Sequence, residues 1–155
     1  MPWLPLAGVN MQLNFDKRDG LLPAIVQESG SGKVLMLGFM NAEAFDKTIE
    51  TGYVTFFSRS RNKLWVKGES SGHRLKVGEV RVDCDADAVL VVAEQFGPGT
   101  CHEGYHSCFF RRVEDGKLVV AEPRAFDPKK VYGDPAKSSS MAGDTARIPA
   151  TTPKE

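Results

Sequence analysis

The sequence predicts a single α+β domain that is mostly β and carries one well-formed helix. The chain has 155 residues, the usual size of one domain. Short runs rich in Val, Leu and Phe, bounded by Gly, Asp or Ser, recur along most of the chain and indicate strands. Helix start and stop signals frame one segment clearly, so the prediction contains one main helix.

Nine runs have the length and composition of β-strands. They cover residues 12–15, 24–27, 33–39, 53–58, 64–67, 77–83, 88–94, 107–111 and 118–121. Residues 29–33, between the second and third runs, indicate a hairpin turn. Their glycine spacing, and Val34 where a P-loop needs Ser or Thr, exclude a P-loop.

The predicted helix covers Ala42–Thr51. Asn41 is a favourable N-cap because its side chain can accept a hydrogen bond from the first turn. Glu43 suits the positive end of the helix dipole, and Gly52 suits a left-handed C-terminal stop. These local signals fix both ends of the helix.

Composition and charge narrow the possible partners and location. Lys plus Arg and Asp plus Glu each total 20, which favours neither nucleic acid nor an anionic membrane. We find no apolar run near the ~18 residues that a membrane span needs. The first eleven residues lack a basic leader and contain Pro2 and Pro5, unlike a signal peptide. We therefore expect a cytoplasmic protein with reduced thiols.

The composition changes near the end of the chain. From about residue 127 Pro, Ser, Ala, Lys and Thr dominate, and no hydrophobic period survives. We expect one folded domain over residues 1–135 and a flexible polar tail over residues 136–155.

A cluster of acidic residues follows the sixth predicted strand. If the strand continued, Asp83, Asp85 and Asp87 would lie on one face and Cys84 on the other. Same-face residues are roughly 6.5–7 Å apart in a strand, so three carboxylates share an ion only if the backbone bends. Carboxylates suit Mg²⁺ and the thiolate suits Zn²⁺. The alternatives are a solvated acidic turn and an EF-hand, although Ala88 replaces the required Gly.

The three cysteines form the second cluster. Cys101 and Cys108 are seven positions apart, and together with Cys84 they provide three thiolates for zinc. A three-cysteine site with an open position is typical of catalytic zinc. Closure by His102 or His106 is typical of structural zinc. Both readings remain open on spacing alone.

A basic segment provides candidate phosphate contacts. Ser70, Ser71 and Gly72 form a small polar loop whose backbone N–H groups could approach an anion, and Trp65 offers a stacking face. An exposed hairpin with solvated charges is the simpler alternative. The cations that could bind phosphates are Arg59, Arg61, Lys63, Lys67 and Arg74.

Together these segments resemble the phosphoribosyl-AMP cyclohydrolase family of histidine biosynthesis. Each motif alone is weak, but five in the family's order are specific. They are LMLGFMN at 35–41, YVTFFSR at 53–59, LWVKGESSG at 64–72, DCDAD at 83–87 and CHEGYHSCF at 101–109.

The resemblance implies a bent, mainly antiparallel sheet, half-barrel-like, in an intertwined homodimer with active sites between subunits. It implies Mg²⁺ on Asp83, Asp85 and Asp87. It also implies Zn²⁺ on Cys84, Cys101 and Cys108, with Cys84 donated across the dimer.

The implied reaction is hydrolysis of the N1–C6 bond of the adenine ring in 1-(5-phosphoribosyl)-AMP. Bound zinc would activate the attacking water. We expect His102 to move the proton, with His73 as a second candidate. The expected substrate-binding residues are Arg59, Trp65, Lys67, Glu69, Ser70, Ser71 and Gly72.

Two rival functions remain at this point. A different zinc hydrolase, such as a nucleobase deaminase, would carry H-x-E and P-C-x-x-C motifs, which the sequence lacks. A non-catalytic zinc-binding module would need four protein ligands and a basic or apolar binding face. The neutral charge and the acidic cluster disfavour that module.

Overall fold

The computed structural model describes residues 12–133 and confirms the mostly β, α+β fold class. A 3₁₀ helix, Asp16–Arg18, precedes the first strand. The remaining elements, in chain order, are β1 (Leu22–Glu28), β2 (Val34–Met40), α1 (Ala42–Thr51), β3 (Thr55–Ser58), β4 (Lys63–Val66), β5 (Leu75–Val82), β6 (Val89–Gln95), β7 (Arg111–Glu114), β8 (Lys117–Val120) and α2 (Pro128–Tyr132).

The main sheet has four strands in the order β2-β1-β6-β5. The β1–β2 and β5–β6 pairs are antiparallel, whereas β1 and β6 are parallel. Irregularities at Val26/Gln27 and Val77/Glu79 shift the register, and such bulges bend a strand. Antiparallel hairpins β3–β4 and β7–β8 complete the fold.

The core lies between the main sheet, helix α1 and the β3–β4 hairpin. Strand β1 buries alternate residues, Leu22, Ala24 and Val26, as a half-buried strand should. The Phe56 ring covers Gly38 so closely that a Cβ added there would lie 2.5 Å from the ring. This contact brings β3 onto β2 and requires glycine at position 38.

Helix α1 has the bounds and caps that the sequence predicted. The Asn41 side chain accepts from the Ala44 N–H at 2.8 Å, and Gly52 adopts a left-handed φ of 75°. The Thr48 hydroxyl donates to the Ala44 carbonyl at 2.9 Å and accepts from the Thr55 N–H at 3.0 Å. The contact with Thr55 joins the helix to β3.

Two of the nine strand predictions are wrong. Residues 12–15 form no strand, because the segment leads into the 3₁₀ helix and Asn14 donates its N–H to the Ala86 carbonyl at 2.7 Å. Residues 107–110 also form no strand. The Val34 carbonyl accepts a hydrogen bond from the Ser107 hydroxyl at 2.7 Å, where a strand would offer a backbone N–H. The other seven predicted runs correspond to strands, with ends shifted by up to two residues.

The sequence analysis did not predict the short second helix that follows residue 127. Asp127 caps a five-residue helix, α2, that begins with Pro128. Five residues are too few to show a hydrophobic period, which explains the miss. The expected tail at 136–155 and the boundary at residue 135 lie outside the described residues. Within residues 12–133 no helix is long and apolar enough to span a membrane.

Candidate metal and substrate site

The acidic turn between β5 and β6 gathers three carboxylates. Asp83 Oδ1 accepts from the N–H groups of Asp87 and Ala88 at 3.0 and 3.1 Å, and Ala86 adopts a left-handed φ of 60°. Potential ligand atoms of Asp83, Asp85 and Asp87 consequently lie within 4.8 Å of one another. The bend that a shared ion requires is therefore present in the backbone.

Two basic residues of the 3₁₀ helix contact this turn. Lys17 Nζ lies 2.6 Å from Asp85 Oδ2 and 3.2 Å from Asp87 Oδ2. Arg18 Nη1 donates to the Asp87 carbonyl at 3.3 Å. The Lys17 hydrogen bond is the main reason that the pKa of Asp85 falls to about 2. Sequence reasoning missed both basic residues, since they precede the turn by almost 70 positions.

The second cluster is built by the loop that precedes β7. The Cys101 N–H donates to the Tyr105 carbonyl at 3.0 Å, and the Cys108 N–H donates to the Leu35 carbonyl of β2 at 2.8 Å. These bonds place the two cysteines side by side, where a hydrogen bond with the Cys108 thiol lowers the pKa of Cys101 to about 7. Burial opposes this shift. Cys101 is thus prepared to ionise near neutral pH.

Cys84 lies apart from this pair. It is exposed on the acidic turn, whereas Cys101 is buried and Cys108 is half-buried. Within residues 12–133, the one group of three or more His, Cys, Asp or Glu side chains with mutually close ligand atoms is the aspartate cluster. A single chain therefore does not bring Cys84 together with Cys101 and Cys108.

The histidines of the site differ in their surroundings. His106 Nε2 lies 2.7 Å from Glu28 Oε2 at the end of β1. His102, next to Cys101, is half-buried. His73 is buried with its ring edge-on to Phe126 at 4.9 Å, and its Nδ1 has no hydrogen-bond partner among residues 12–133.

Burial is the main reason that the pKa of His73 is lowered, and a hydrogen bond to the Gly99 backbone opposes this effect. The lowered pKa keeps the imidazole neutral at physiological pH. A neutral ring can exchange a proton but carries no permanent charge toward a phosphate.

The basic segment contributes one buried cation. Lys67 is buried, and this burial lowers its pKa, while negative charge at Cys108 and Cys101 opposes the shift. Its Nζ lies 5.9 Å from the centroid of the Trp65 ring, which packs against Phe56 at 5.1 Å. The positive charge of Lys67 therefore interacts with the thiol groups of Cys101 and Cys108. Arg59, Lys63 and Arg74 are exposed.

The loop after β4 is tightly closed. The Gly72 N–H donates to the Gly68 carbonyl at 2.8 Å, and the His73 N–H donates to Ser71 Oγ at 3.1 Å. Glu69 Oε2 accepts from the Val66 N–H at 3.3 Å at the start of the loop. Ser70 and Gly72 are exposed, so this rigid loop presents polar groups to solvent.

Comparison with known proteins decides the family. The family model described as phosphoribosyl-AMP cyclohydrolase matches residues 36–110. A phosphoribosyl-AMP cyclohydrolase of Solibacter usitatus (strain Ellin6076) is 62% identical over 123 residues, which are 79% of this chain and 98% of that relative. The chain belongs to the phosphoribosyl-AMP cyclohydrolase family. A cyclohydrolase of Desulforapulum autotrophicum is 55% identical over 79% of this chain and 98% of its own. A cyclohydrolase of Nitratidesulfovibrio vulgaris (strain DP4) is 51% identical over 77% of this chain and 94% of its own.

Phosphoribosyl-AMP cyclohydrolases are metal-dependent, and the two clusters fit metals of different character. Carboxylates, such as those of Asp83, Asp85 and Asp87, are hard donors of the kind that Mg²⁺ prefers. Thiolates suit zinc, and Cys101 carries a thiol that ionises near neutral pH. The donor chemistry of this chain therefore agrees with the metal dependence of the cyclohydrolase family.

A tyrosine that the sequence did not indicate also lies near the cysteines and the loop after β4. Helix α2 brings Tyr132 into hydrogen-bonding contact with Ser71. Burial is the largest cause of the raised pKa of Tyr132, and negative charge at Cys101 and Cys108 adds to it. Tyr132 lies beyond residues 36–110, and no motif or periodicity marks it. Its position depends on the chain returning over the cysteine loop, where the Ala125 N–H donates to the Gly104 carbonyl at 2.7 Å.

Proposed function

We infer that this chain is a hydrolase that opens the adenine ring of 1-(5-phosphoribosyl)-AMP in histidine biosynthesis. Water adds to C6, the N1–C6 bond breaks and N1 receives a proton. The oxygen of water becomes the oxygen of the new imidazole carboxamide. The observation that carries this inference is the 62% identity to a named phosphoribosyl-AMP cyclohydrolase across 98% of that relative.

We propose that Cys101 and Cys108 bind Zn²⁺ together with Cys84 of the partner subunit. Three observations support this shared site. Cys101 and Cys108 are adjacent, Cys101 ionises near pH 7, and Cys84 is exposed on a turn apart from them. His106 hydrogen-bonds Glu28, which disfavours closure of the zinc site by His106 as a fourth ligand.

A homodimer is supported by exposed apolar surface near the cysteines. Phe109 directly follows Cys108 and is 57% exposed. On the β7–β8 hairpin, Val113 is 75% exposed and Val120 is 55% exposed. Contiguous exposed apolar groups of this kind mark interaction surfaces. We propose that this hairpin lies in the dimer interface.

Cys101, Cys108 and the partner's Cys84 would hold zinc, which would supply a Lewis acid for activating the attacking water. In this proposal His102 accepts a proton from the attacking water and returns it to N1 of the substrate. His102 adjoins Cys101 in sequence and remains half-buried, so it can reach solvent and substrate. His73 is neutral and buried, and we propose that it moves a proton only in support of His102.

The rest of the proposed site concerns the substrate and magnesium. Asp83, Asp85 and Asp87 would hold Mg²⁺, which would supply positive charge for a substrate phosphate. In this proposal Lys67 and Trp65 lie beside the cysteines, at the base of the substrate site. The phosphates contact the exposed groups of the basic segment, and Glu69 fixes the loop that presents them. The phosphate-binding residues are Arg59, Ser70, Ser71 and Gly72.

The proposed setting is a cytoplasmic enzyme whose catalytic domain occupies residues 1–135, followed by the polar tail at 136–155. The Solibacter relative supports the extent of the domain, because 98% of that protein aligns with 123 residues of this chain. The reduced thiols that metal binding requires support the location.

Ring opening is tested directly by ultraviolet absorbance. Protein loaded with Zn²⁺ and Mg²⁺ is given 1-(5-phosphoribosyl)-AMP, and separately adenosine and cytidine as deaminase substrates. We expect turnover of 1-(5-phosphoribosyl)-AMP alone, lost after chelation and regained when zinc returns. Deamination of a nucleoside without ring opening would favour the rival hydrolase. Zinc binding without turnover of any of the three would favour the non-catalytic module.

A further inference from the structure

Lys17 occupies the position in the acidic turn where a cation is expected. Its ammonium bonds two of the three clustered carboxylates, at 2.6 Å from Asp85 Oδ2 and 3.2 Å from Asp87 Oδ2. It therefore bridges two of the three carboxylates that would bind a metal ion.

The backbone holds Lys17 at this place. Asn14 donates its N–H to the Ala86 carbonyl at 2.7 Å, which fixes the segment before the 3₁₀ helix against the turn. Arg18 adds a second anchor through the Asp87 carbonyl at 3.3 Å. The Lys17 side chain is 46% exposed, so its ammonium can leave the carboxylates for water while the helix stays docked.

A divalent ion and the Lys17 ammonium compete for the same carboxylates. Mg²⁺ takes carboxylate oxygens at about 2.0–2.1 Å, and two cations held by the same carboxylates repel strongly. Binding of the ion must therefore be preceded or accompanied by departure of Lys17. A divalent ion brings two positive charges to the carboxylates in place of the single charge of the ammonium. Na⁺ or K⁺ brings only one, so its exchange for Lys17 gives no additional electrostatic attraction.

We propose that Lys17 is an internal cation that occupies the Asp83, Asp85 and Asp87 site in the metal-free chain and is displaced by a divalent ion. Lys17 thereby lowers the apparent affinity of the site and restricts it to divalent ions. This inference rests on the proposed magnesium site and adds what determines its affinity and selectivity.

The test measures Mn²⁺ and Mg²⁺ binding by calorimetry on zinc-loaded protein, without substrate. Lys17→Met keeps the side-chain stem and removes the charge, and Lys17→Arg keeps the charge. Lys47→Met is the matched control, because Lys47 is similarly exposed, at 49%, and pairs with Glu50 at 3.1 Å away from the turn. Asp85→Asn removes one proposed ligand.

We expect Lys17→Met to bind Mn²⁺ about three- to tenfold more tightly than the wild type, the scale set by one or two exposed ion pairs. Lys47→Met and Lys17→Arg should remain near the wild-type affinity. Equal or weaker Mn²⁺ binding by Lys17→Met, with binding lost in Asp85→Asn, would overturn the inference and leave the metal site intact. Absence of Mn²⁺ binding from the wild type and all variants would overturn the metal site and the inference together.

Thermal unfolding gives a second readout that a structural role alone would not produce. Without divalent ions, Lys17→Met should unfold at a lower temperature than the wild type, because the carboxylates repel one another. Saturating Mg²⁺ should then raise its unfolding temperature by more than it raises that of the wild type. An equal or smaller Mg²⁺ increment in Lys17→Met would contradict displacement of Lys17.

Discussion

The Cys108 thiol hydrogen-bonds Cys101 and is the largest cause of a Cys101 pKa of about 7. Replacement of Cys108 by Ala removes that bond and leaves burial, which raises the pKa. In metal-free protein carrying Cys84→Ser, we expect thiolate absorbance near 240 nm to titrate close to pH 7. Adding Cys108→Ala should move the Cys101 midpoint upward by one unit or more. An unchanged midpoint would show that a group other than Cys108 lowers the pKa of Cys101.

Lys67 should support the same thiolate through its charge. Its buried ammonium lowers the pKa of Cys101, although less than Cys108 does. Lys67→Met should therefore raise the Cys101 midpoint by less than Cys108→Ala and weaken zinc binding at pH 7 by a few-fold. Competition with a chromogenic chelator measures the affinity, and exposed Lys63→Met is the control. Equal zinc affinity in Lys67→Met and Lys63→Met would contradict this role.

The Lys17–Asp85 contact makes the metal-free turn sensitive to acid. The folded chain lowers the pKa of Asp85 from 3.8 to about 2, chiefly through Lys17. A lowered carboxyl pKa stabilises the fold above the unfolded-state pKa, and this stabilisation is lost as the pH falls through the folded-state value. The stability advantage of wild type over Lys17→Met should thus be present at pH 5 and decline between about pH 4 and 2. Urea unfolding measures it, and an advantage as large at pH 2 as at pH 5 would contradict the assignment.

Glycine at position 38 is required by the Phe56 ring. A methyl group at this position meets ring carbons at 2.5 Å, so Gly38→Ala must displace the ring or separate β2 from β3. We expect a loss of about 1–3 kcal/mol in the free energy of unfolding. Gly78→Ala is the control, since a Cβ added there would lie 3.4 Å from the Val92 carbonyl oxygen, an ordinary contact distance. Similar losses in both variants would rule out the specific contact.

His102 should act in proton transfer without holding the metal. We expect His102→Ala to keep near-normal zinc content while turnover falls by about 10²–10⁴-fold, the usual contribution of general acid–base catalysis. Zinc content by mass spectrometry and ring opening by absorbance check the two parts. Normal turnover in this variant would remove His102 from the mechanism, and lost zinc would make it a ligand.

Local signals account for what the sequence predicted well. Helix α1 was predicted to the residue because Asn41 and Gly52 mark its ends within the segment itself. The DCDAD pattern likewise contains every carboxylate of the acidic cluster. Misses arose where distant residues decide. The Ser107 hydroxyl donates to the Val34 carbonyl where a strand would use a backbone N–H. Lys17 contacts Asp85, which lies 68 positions later in the sequence. Neither pairing leaves a periodic pattern in the sequence.

Mixed dimers test most directly whether ring opening takes place at a zinc site built from two subunits. Cys84→Ser and Cys101→Ser proteins should each be inactive in adenine ring opening. When equal amounts are unfolded and refolded together with zinc, half of the dimers contain both variants, and one of the two sites in each mixed dimer has all three cysteines. We predict about one quarter of wild-type turnover per protein. Recovery of no activity, from mixed dimers shown to form, would contradict a site shared between subunits.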